Sequence, residues 1–294
     1  MFERILVAID FSDPALDALR WTVTHFPDAE ITLFHSIESL DAPSYLTRAL
    51  GKELDLELET ELDASTNLEA LAHEHGIEPR VAIRHGWPPR QIRLAAQEAN
   101  TDLIVMGSHR QRMWSFHETG STAVRTASAD GPPVYVWRPI PRKADPEDRT
   151  ILVAIGLHEN SRRLVAIGAE LARHFDARLV LCHVVTRGLQ AYLRRVSSTA
   201  VVDEALASIM NAAREEAQAL VPPDLTGDLD VRIVVARGRP WTQILATSEA
   251  ESANLIVIGR GRSKAGQALL GSVTERVLRG SNSSVLTIPP AIDV

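Results

Sequence analysis

The feature that most restricts how this chain can fold is a duplicated pattern: a short apolar run, a glycine, and further on a Gly-Ser pair. Leu103-Ile104-Val105-Met106-Gly107 precedes Gly120-Ser121, and Leu255-Ile256-Val257-Ile258-Gly259 precedes Gly271-Ser272. Other segments keep the same register at a spacing of about 150 residues. Arg4-Ile5-Leu6-Val7-Ala8-Ile9 matches Thr150-Ile151-Leu152-Val153-Ala154-Ile155. Leu33-Phe34-His35 matches Leu181-Cys182-His183, and Gly86-Trp87-Pro88 matches Gly238-Arg239-Pro240. A spacing so far above the roughly 20–50 residues of solenoid repeats means two similar domains in tandem. The chain length of 294 residues suits two domains of ordinary size.

Within each half, short apolar runs alternate with amphipathic ones. Strands are expected at 5–9, 31–34, 80–83, 103–106 and 134–137, and again at 151–155, 178–181, 231–235, 255–258 and 285–288. Asp13-Pro14 reads as an N-cap followed by a first-turn proline, opening a helix that carries Leu16, Leu19, Val23 and Phe26. A long helix is expected from about 43 to 76, broken near Gly51. Further helices are expected after Gly86-Trp87-Pro88-Pro89 and over 121–129. In the second half, Asn160 or Ser161 caps a helix bearing Leu164, Ile167, Leu171 and Phe175. Another helix runs from about 201 to 220 and stops at Pro222-Pro223. The expected fold class is therefore α/β: two tandem doubly wound domains, each a five-stranded parallel sheet with helices on both faces. They span 1–140 and 149–294, with the proline- and charge-rich segment 141–148 as linker. Open parallel sheets bind ligands at the carboxyl ends of their strands, where strand order reverses. Asp10, Ser36, Gly107 and Gly120 all fall at or just past such ends.

The stretch 255–272 joins a strand, a glycine loop and a helix start. Free backbone N–H groups and the positive end of the helix dipole meet there, which makes an anion site. This stretch resembles the phosphate-binding loop of the universal stress protein family, whose form is Gly, two residues, Gly, nine residues, Gly-Ser. Gly261 and Gly271 have nine residues between them and Ser272 follows; only one residue, Arg260, separates Gly259 from Gly261. The resemblance covers nearly the whole chain twice, as in a tandem member of the family. It implies strand order 3-2-1-4-5, last strands meeting across a pseudo-two-fold as an intramolecular pseudo-dimer, and a possible homodimer beyond that. It also implies binding of ATP, with AMP or ADP as alternatives. Family members use an aspartate after the first strand for the nucleoside and the backbone past the second strand's histidine for adenine. The glycine loop and Gly-Ser helix start hold the phosphates. In the first half these elements fall on Asp10, Ser36, Gly107, Gly120 and Ser121, with Arg110 in place of the middle glycine. In the second half they fall on Val184, Gly259, Gly261, Gly271 and Ser272, and Gly156 stands at the aspartate position.

Each of these residues also has a plainer reading. Asp10 can serve as a turn residue, and a Gly-Ser pair can be an ordinary helix N-cap. Arg110 blocks close backbone approach to phosphate, or supplies a charged grip with His109 and Arg112. His35 and His183 on apolar strands read as core residues; lying in different domains, they make no metal pair. Cys182 reads as a small buried hydrophobe. His73 and His75 suit a helix C-terminus ending at Gly76. Trp87 and Trp241 read as packing residues.

The chain lacks a Gly-x-x-x-x-Gly-Lys-Ser/Thr loop, a Gly-x-Ser-x-Gly elbow, and His-Glu-x-x-His or Cys-x-x-Cys pairs. No catalytic residue and no metal ligand is nominated. A net charge of −7 argues against nonspecific nucleic-acid or acidic-membrane binding. One cysteine permits no internal disulfide, and no apolar run approaches membrane-spanning length, so a cytoplasmic location is expected. The expected function is a nucleotide-binding regulatory or adaptor protein of the stress response with an unidentified protein partner. A slow ATPase and a scaffold with decayed sites are the alternatives.

Overall fold

The computed structural model describes residues 1–38, 53–78, 80–108, 121–139, 149–158, 161–186, 199–222, 229–262 and 268–290. The chain divides into two compact units, Met1–Trp137 and Arg138–Val294. The expected linker 141–148 lies outside the described residues.

The first unit runs β1 (Arg4–Ala8), α1 (Asp13–His25), β2 (Glu30–Ile37), α2 (Glu53–Glu74), β3 (Arg80–His85), α3 (Pro88–Glu98), β4 (Leu103–Gly107), α4 (Ser121–Ala127) and β5 (Val134–Trp137). β1 pairs with β2 and β4, β2 with β3, and β4 with β5, every pair parallel, which gives the order 3-2-1-4-5. The second unit opens with β6 (Thr150–Ile155), α5 (Ser161–His174), β7 (Arg178–Thr186), α6 (Thr199–Ala219), β8 (Val231–Gly238), α7 (Pro240–Ala250) and β9 (Leu255–Gly259). A small antiparallel hairpin of β10 (Gly261–Arg262) and β11 (Ala268–Leu269) follows, then α8 (Ser272–Gly280) and β12 (Ser284–Ile288). Its parallel pairs, β6 with β7 and β9, β7 with β8, and β9 with β12, repeat the same order.

Helices cover both faces of such a sheet, so its strands must be apolar throughout. Every residue of β6 is buried, as are Ile5, Leu6 and Val7 of β1. α1 buries Ala15, Ala18, Leu19 and Thr22, positions that share one stripe of a 3.6-residue helix. α5 buries Leu164, Val165, Gly168, Ala169, Leu171 and Ala172 in the same way. Gly168 sets how near α5 can lie: a Cβ there would stand 2.3 Å from Val153 Cγ2 in β6.

Several boundaries differ from the sequence expectation. The N-cap of α1 is Ser12, not Asp13, because Asp10 anchors the turn one step earlier. β2 and β7 continue to Ile37 and Thr186, since the ladder to β3 and β8 persists past the histidine that interrupts the apolar run. α4 stops at Ala127 rather than 129. Of the expected helix 43–76, residues 43–52 with Gly51 lie outside the described residues. Ser161 begins α5, and its Oγ accepts from the His158 backbone N–H at 3.2 Å; Asn160 is outside the described residues. Among the described residues no helix is long and apolar enough to cross a membrane.

Gly168→Ala forces a methyl into the rigid, fully buried Val153 side chain. It should lower stability by about 1–3 kcal/mol in guanidinium unfolding, whereas Arg162→Ala on the exposed face of α5 should change it by less than about 0.5 kcal/mol.

Candidate functional site

In both units the first and fourth strands are neighbours, and the chain departs from them in opposite directions across the sheet. Their carboxyl ends therefore flank the crevice in which open α/β sheets hold ligands. In the first unit this places Asp10, Ser36 and Gly107 along the ends of β1, β2 and β4. Asp10 Oδ1 accepts from the Ser12 backbone N–H at 3.1 Å and from the Ser12 hydroxyl. The carboxylate thus braces the turn into α1 while remaining exposed. Ser36 Oγ donates to the Gly86 carbonyl at 2.9 Å. A Cβ on Gly107 would stand 2.4 Å from the Pro14 carbonyl carbon and 2.5 Å from the Ala15 nitrogen, so the first turn of α1 alone demands glycine there. Arg110 and Gly120 lie outside the described residues, as do His109 and Arg112; Ser121 is the first residue of α4.

The two strand histidines play one structural part in both units. His35 Nδ1 lies 2.7 Å from the Ile9 carbonyl oxygen and His183 Nδ1 lies 3.1 Å from the Ile155 carbonyl oxygen. A carbonyl only accepts, so Nδ1 carries the hydrogen and the ring ties the second strand to the end of the first.

In the second unit three of the nominated residues, Val184, Gly259 and Gly261, line one cavity of about 1230 Å³, whereas Gly271 and Ser272 are not part of its lining. Gly156 follows β6, Val184 lies in β7, Gly259 ends β9 and Gly261 begins β10; all four line it, with Val273 and Thr274 from the first turn of α8. Gly271 is the N-cap of α8 at φ 68, a left-handed conformation that favours glycine, and no side chain caps this helix. Because the N-cap is glycine, it offers no side-chain oxygen to the first-turn N–H groups of α8, the turn from which Val273 and Thr274 line the cavity. Thr274 Oγ1 donates to the Gly259 carbonyl at 2.8 Å and pins the helix start to the strand end. Ser272 is exposed.

The segment Gly259-Arg260-Gly261 is not the tight glycine turn that its composition suggests. The Arg260 N–H donates to the Ile288 carbonyl at 2.7 Å, so the parallel ladder with β12 runs one residue past Gly259 before the hairpin begins. Ser108 does the same in the first unit, donating to the Trp137 carbonyl at 3.2 Å. Neither N–H is available to a phosphate. Any backbone grip in the second unit must start at Gly261 and continue into α8.

Residues that the sequence pattern did not nominate complete the cavity. Arg163 and Arg260 line it, against Glu216 as the lining carboxylate among the described residues. The Arg163 guanidinium donates to the Pro289 carbonyl at 3.1 Å. Val185, Ile209, Ala213 and Ile244 form an apolar wall. His158 lies over Gly156: a Cβ at 156 would stand 2.5 Å from both Cδ2 and Nε2 of the imidazole. The one hint to these residues was positional, since His158 follows the vacated acid position by two and Thr274 follows the Gly-Ser pair by two. Cys182 also lines the cavity but is 1% exposed. Burial pushes its thiol up to about 11, against a smaller opposing effect from its hydrogen bond with Thr247. Among the described residues no group of three His, Cys, Asp or Glu is placed to hold a metal ion.

The universal stress protein family matches this chain twice, over residues 1–136 and 148–289. Among solved structures it is similar to a universal stress protein from Archaeoglobus fulgidus DSM 4304, at 20% identity over 99% of this chain and 97% of that one, with a TM-score of 0.68. It is also similar to a functionally unknown protein from Pseudomonas aeruginosa PAO1, at 16% identity over 98% and 93% of the two chains, with a TM-score of 0.60. At these identities the likeness is one of fold. No curated protein matches the chain in sequence.

The raised thiol value makes Cys182 a protonated, sheltered group. It should react with a disulfide reagent at pH 8 only after unfolding. Since its folded value of about 11 exceeds the ordinary 9.0, the folded state should lose stability as pH rises from 9.0 through about 11, and Cys182→Ala should abolish that component.

Proposed function

Because this chain belongs to the universal stress protein family, we propose that it binds an adenine nucleotide, ATP foremost and AMP or ADP as alternatives. In this reading it acts in the cytoplasm as a regulatory adaptor whose ligand state is read by a protein partner. The observation that carries the reading is the cavity of the second unit, which is lined by Gly156, Val184, Gly259, Gly261 and the start of α8 at the switch point of the sheet.

The division of labour follows from chemistry. The backbone around Val184 borders the base, and the apolar wall of Val185, Ile209 and Ala213 excludes water from it. Phosphates go to Gly261 and the first turn of α8, where the helix dipole and main-chain N–H groups converge, with Arg260 supplying positive charge. Each N–H bond to a charged oxygen contributes about 1.5–3 kcal/mol, so the phosphate cradle outweighs the one or two hydrogen bonds that a nucleoside-holding aspartate adds. The second unit is therefore the stronger nucleotide site despite Gly156, and the first unit the weaker.

Calorimetry with ATP on the full chain tests this assignment. Gly271→Val adds a branched side chain at a left-handed N-cap and should weaken binding about tenfold or more, while Gly120→Val should change it by less than about threefold. Far-UV dichroism confirms that both variants fold. Binding abolished by Gly120→Val and retained by Gly271→Val would place the nucleotide in the first unit. ATP recovered intact after prolonged incubation is the expected result for an adaptor; steady phosphate release that Ser272→Ala removes would make the protein a slow ATPase.

A further inference from the structure

We propose that the cavity of the second unit selects adenine nucleotides carrying a phosphate on the ribose, at the 2′ or 3′ oxygen, over those with phosphates at the 5′ position alone. This rests on the adenine-nucleotide reading above and specifies its ligand class. The argument compares two turns built on one backbone. After β1 the chain passes through Asp10, Phe11 and Ser12; after β6 it passes through Gly156, Leu157 and His158. The middle residue is left-handed in both, φ 58 at Phe11 and φ 53 at Leu157, so the two turns differ in side chains rather than in path.

A carboxylate at this position accepts hydrogen bonds from ribose hydroxyls and repels a ribose phosphate; replacing acid by cation is how dinucleotide sites come to accept the phosphorylated sugar. The first unit keeps the acid, braced by Ser12. The second unit has removed it, and the His158 ring occupies the space where its Cβ would begin. Arg163, in the first turns of α5, lines the same cavity with its guanidinium anchored at the Pro289 carbonyl. Where the first unit presents an anion and an acceptor, the second presents an imidazole N–H donor and a guanidinium. That set matches a phosphoryl group, which offers several acceptor oxygens and negative charge. Room is available as well, since about 1230 Å³ exceeds the ~300–1000 Å³ of most ligand cavities.

The test is calorimetry on the full chain with three ligands of equal phosphate number: ADP, adenosine 2′,5′-bisphosphate and adenosine 3′,5′-bisphosphate. At least one bisphosphate should bind about tenfold tighter than ADP, the effect of one charge-assisted contact, and the two bisphosphates distinguish the position of the sugar phosphate. Arg163→Gln, on an exposed position, should remove that preference while altering ADP binding by less than about threefold. The paired change Gly156→Asp with His158→Ser transplants the first unit's turn and should reverse the preference; if that variant does not fold, Arg163→Gln decides. ADP bound as tightly as both bisphosphates, or Arg163→Gln weakening all three alike, overturns the inference and leaves the adenine-nucleotide reading standing. Failure of ADP, ATP and both bisphosphates to bind overturns both.

Discussion

The pairing of the first strand with the fourth is the interaction on which each unit depends. In the first unit it runs from Ile5 opposite Leu103 to Ala8 opposite Met106, and in the second from Ile151 opposite Leu255 to Ala154 opposite Ile258. Apart from the half-buried Ala8 these residues are buried, so the pairing combines a hydrogen-bond ladder with dehydration of both sheet faces. It also forces the helix after the first strand to cross the end of the fourth. That crossing explains the glycines at 107 and 259. At Gly107 the obstacle is the backbone of Pro14 and Ala15; at Gly259 it is Leu164, whose Cδ1 would lie 3.2 Å from an added Cβ. Gly107, which reads as part of a ligand loop, is thus required by the packing that creates the crevice, while at Gly259 an added Cβ would press on the end of the Leu164 side chain.

Around this shared frame the two units have exchanged chemistry while retaining geometry. His35 and His183 make the same bond to the end of the preceding strand. Trp87 and Trp241 each lie beneath an arginine, with Arg125 at 5.3 Å and Arg276 at 5.5 Å from the ring centroids. Trp87 is nonetheless 52% exposed, so it packs against a cation at the surface rather than within the core. The acid position, by contrast, holds a carboxylate in one unit and none in the other. Backbone path and function-bearing side chains have therefore varied independently.

The parallel strands were legible in the sequence because burial on both faces leaves no polar alternation, and the apolar runs stand out from their turns. Their carboxyl ends were harder to read. His35 and His183 interrupt the apolar pattern of β2 and β7 although the ladder continues to Ile37 and Thr186. At Gly259-Arg260-Gly261 two glycines imitate a turn, but the Arg260 N–H remains bonded to β12 and the chain turns later. The cavity's second ring of residues left almost no trace in the pattern. Arg163 belongs to it because α5 carries its side chain over the end of the sheet, and His158 because a missing Cβ leaves it space. Such roles depend on volume, which neither periodicity nor spacing encodes.

The interlock of Gly156 and His158 bears on which sequences lie one mutation away. With the imidazole 2.5 Å from any Cβ at 156, every substitution there meets the ring before it meets a ligand. His158 is exposed, so an acid can return once its ring swings aside, whereas a smaller residue at 158 alone restores no carboxylate. The turn therefore couples two positions: the side chain at 156 sets which rotamers remain open at 158. Duplication leaves room for such coupled change, because the other copy still carries Asp10 on the same backbone turn.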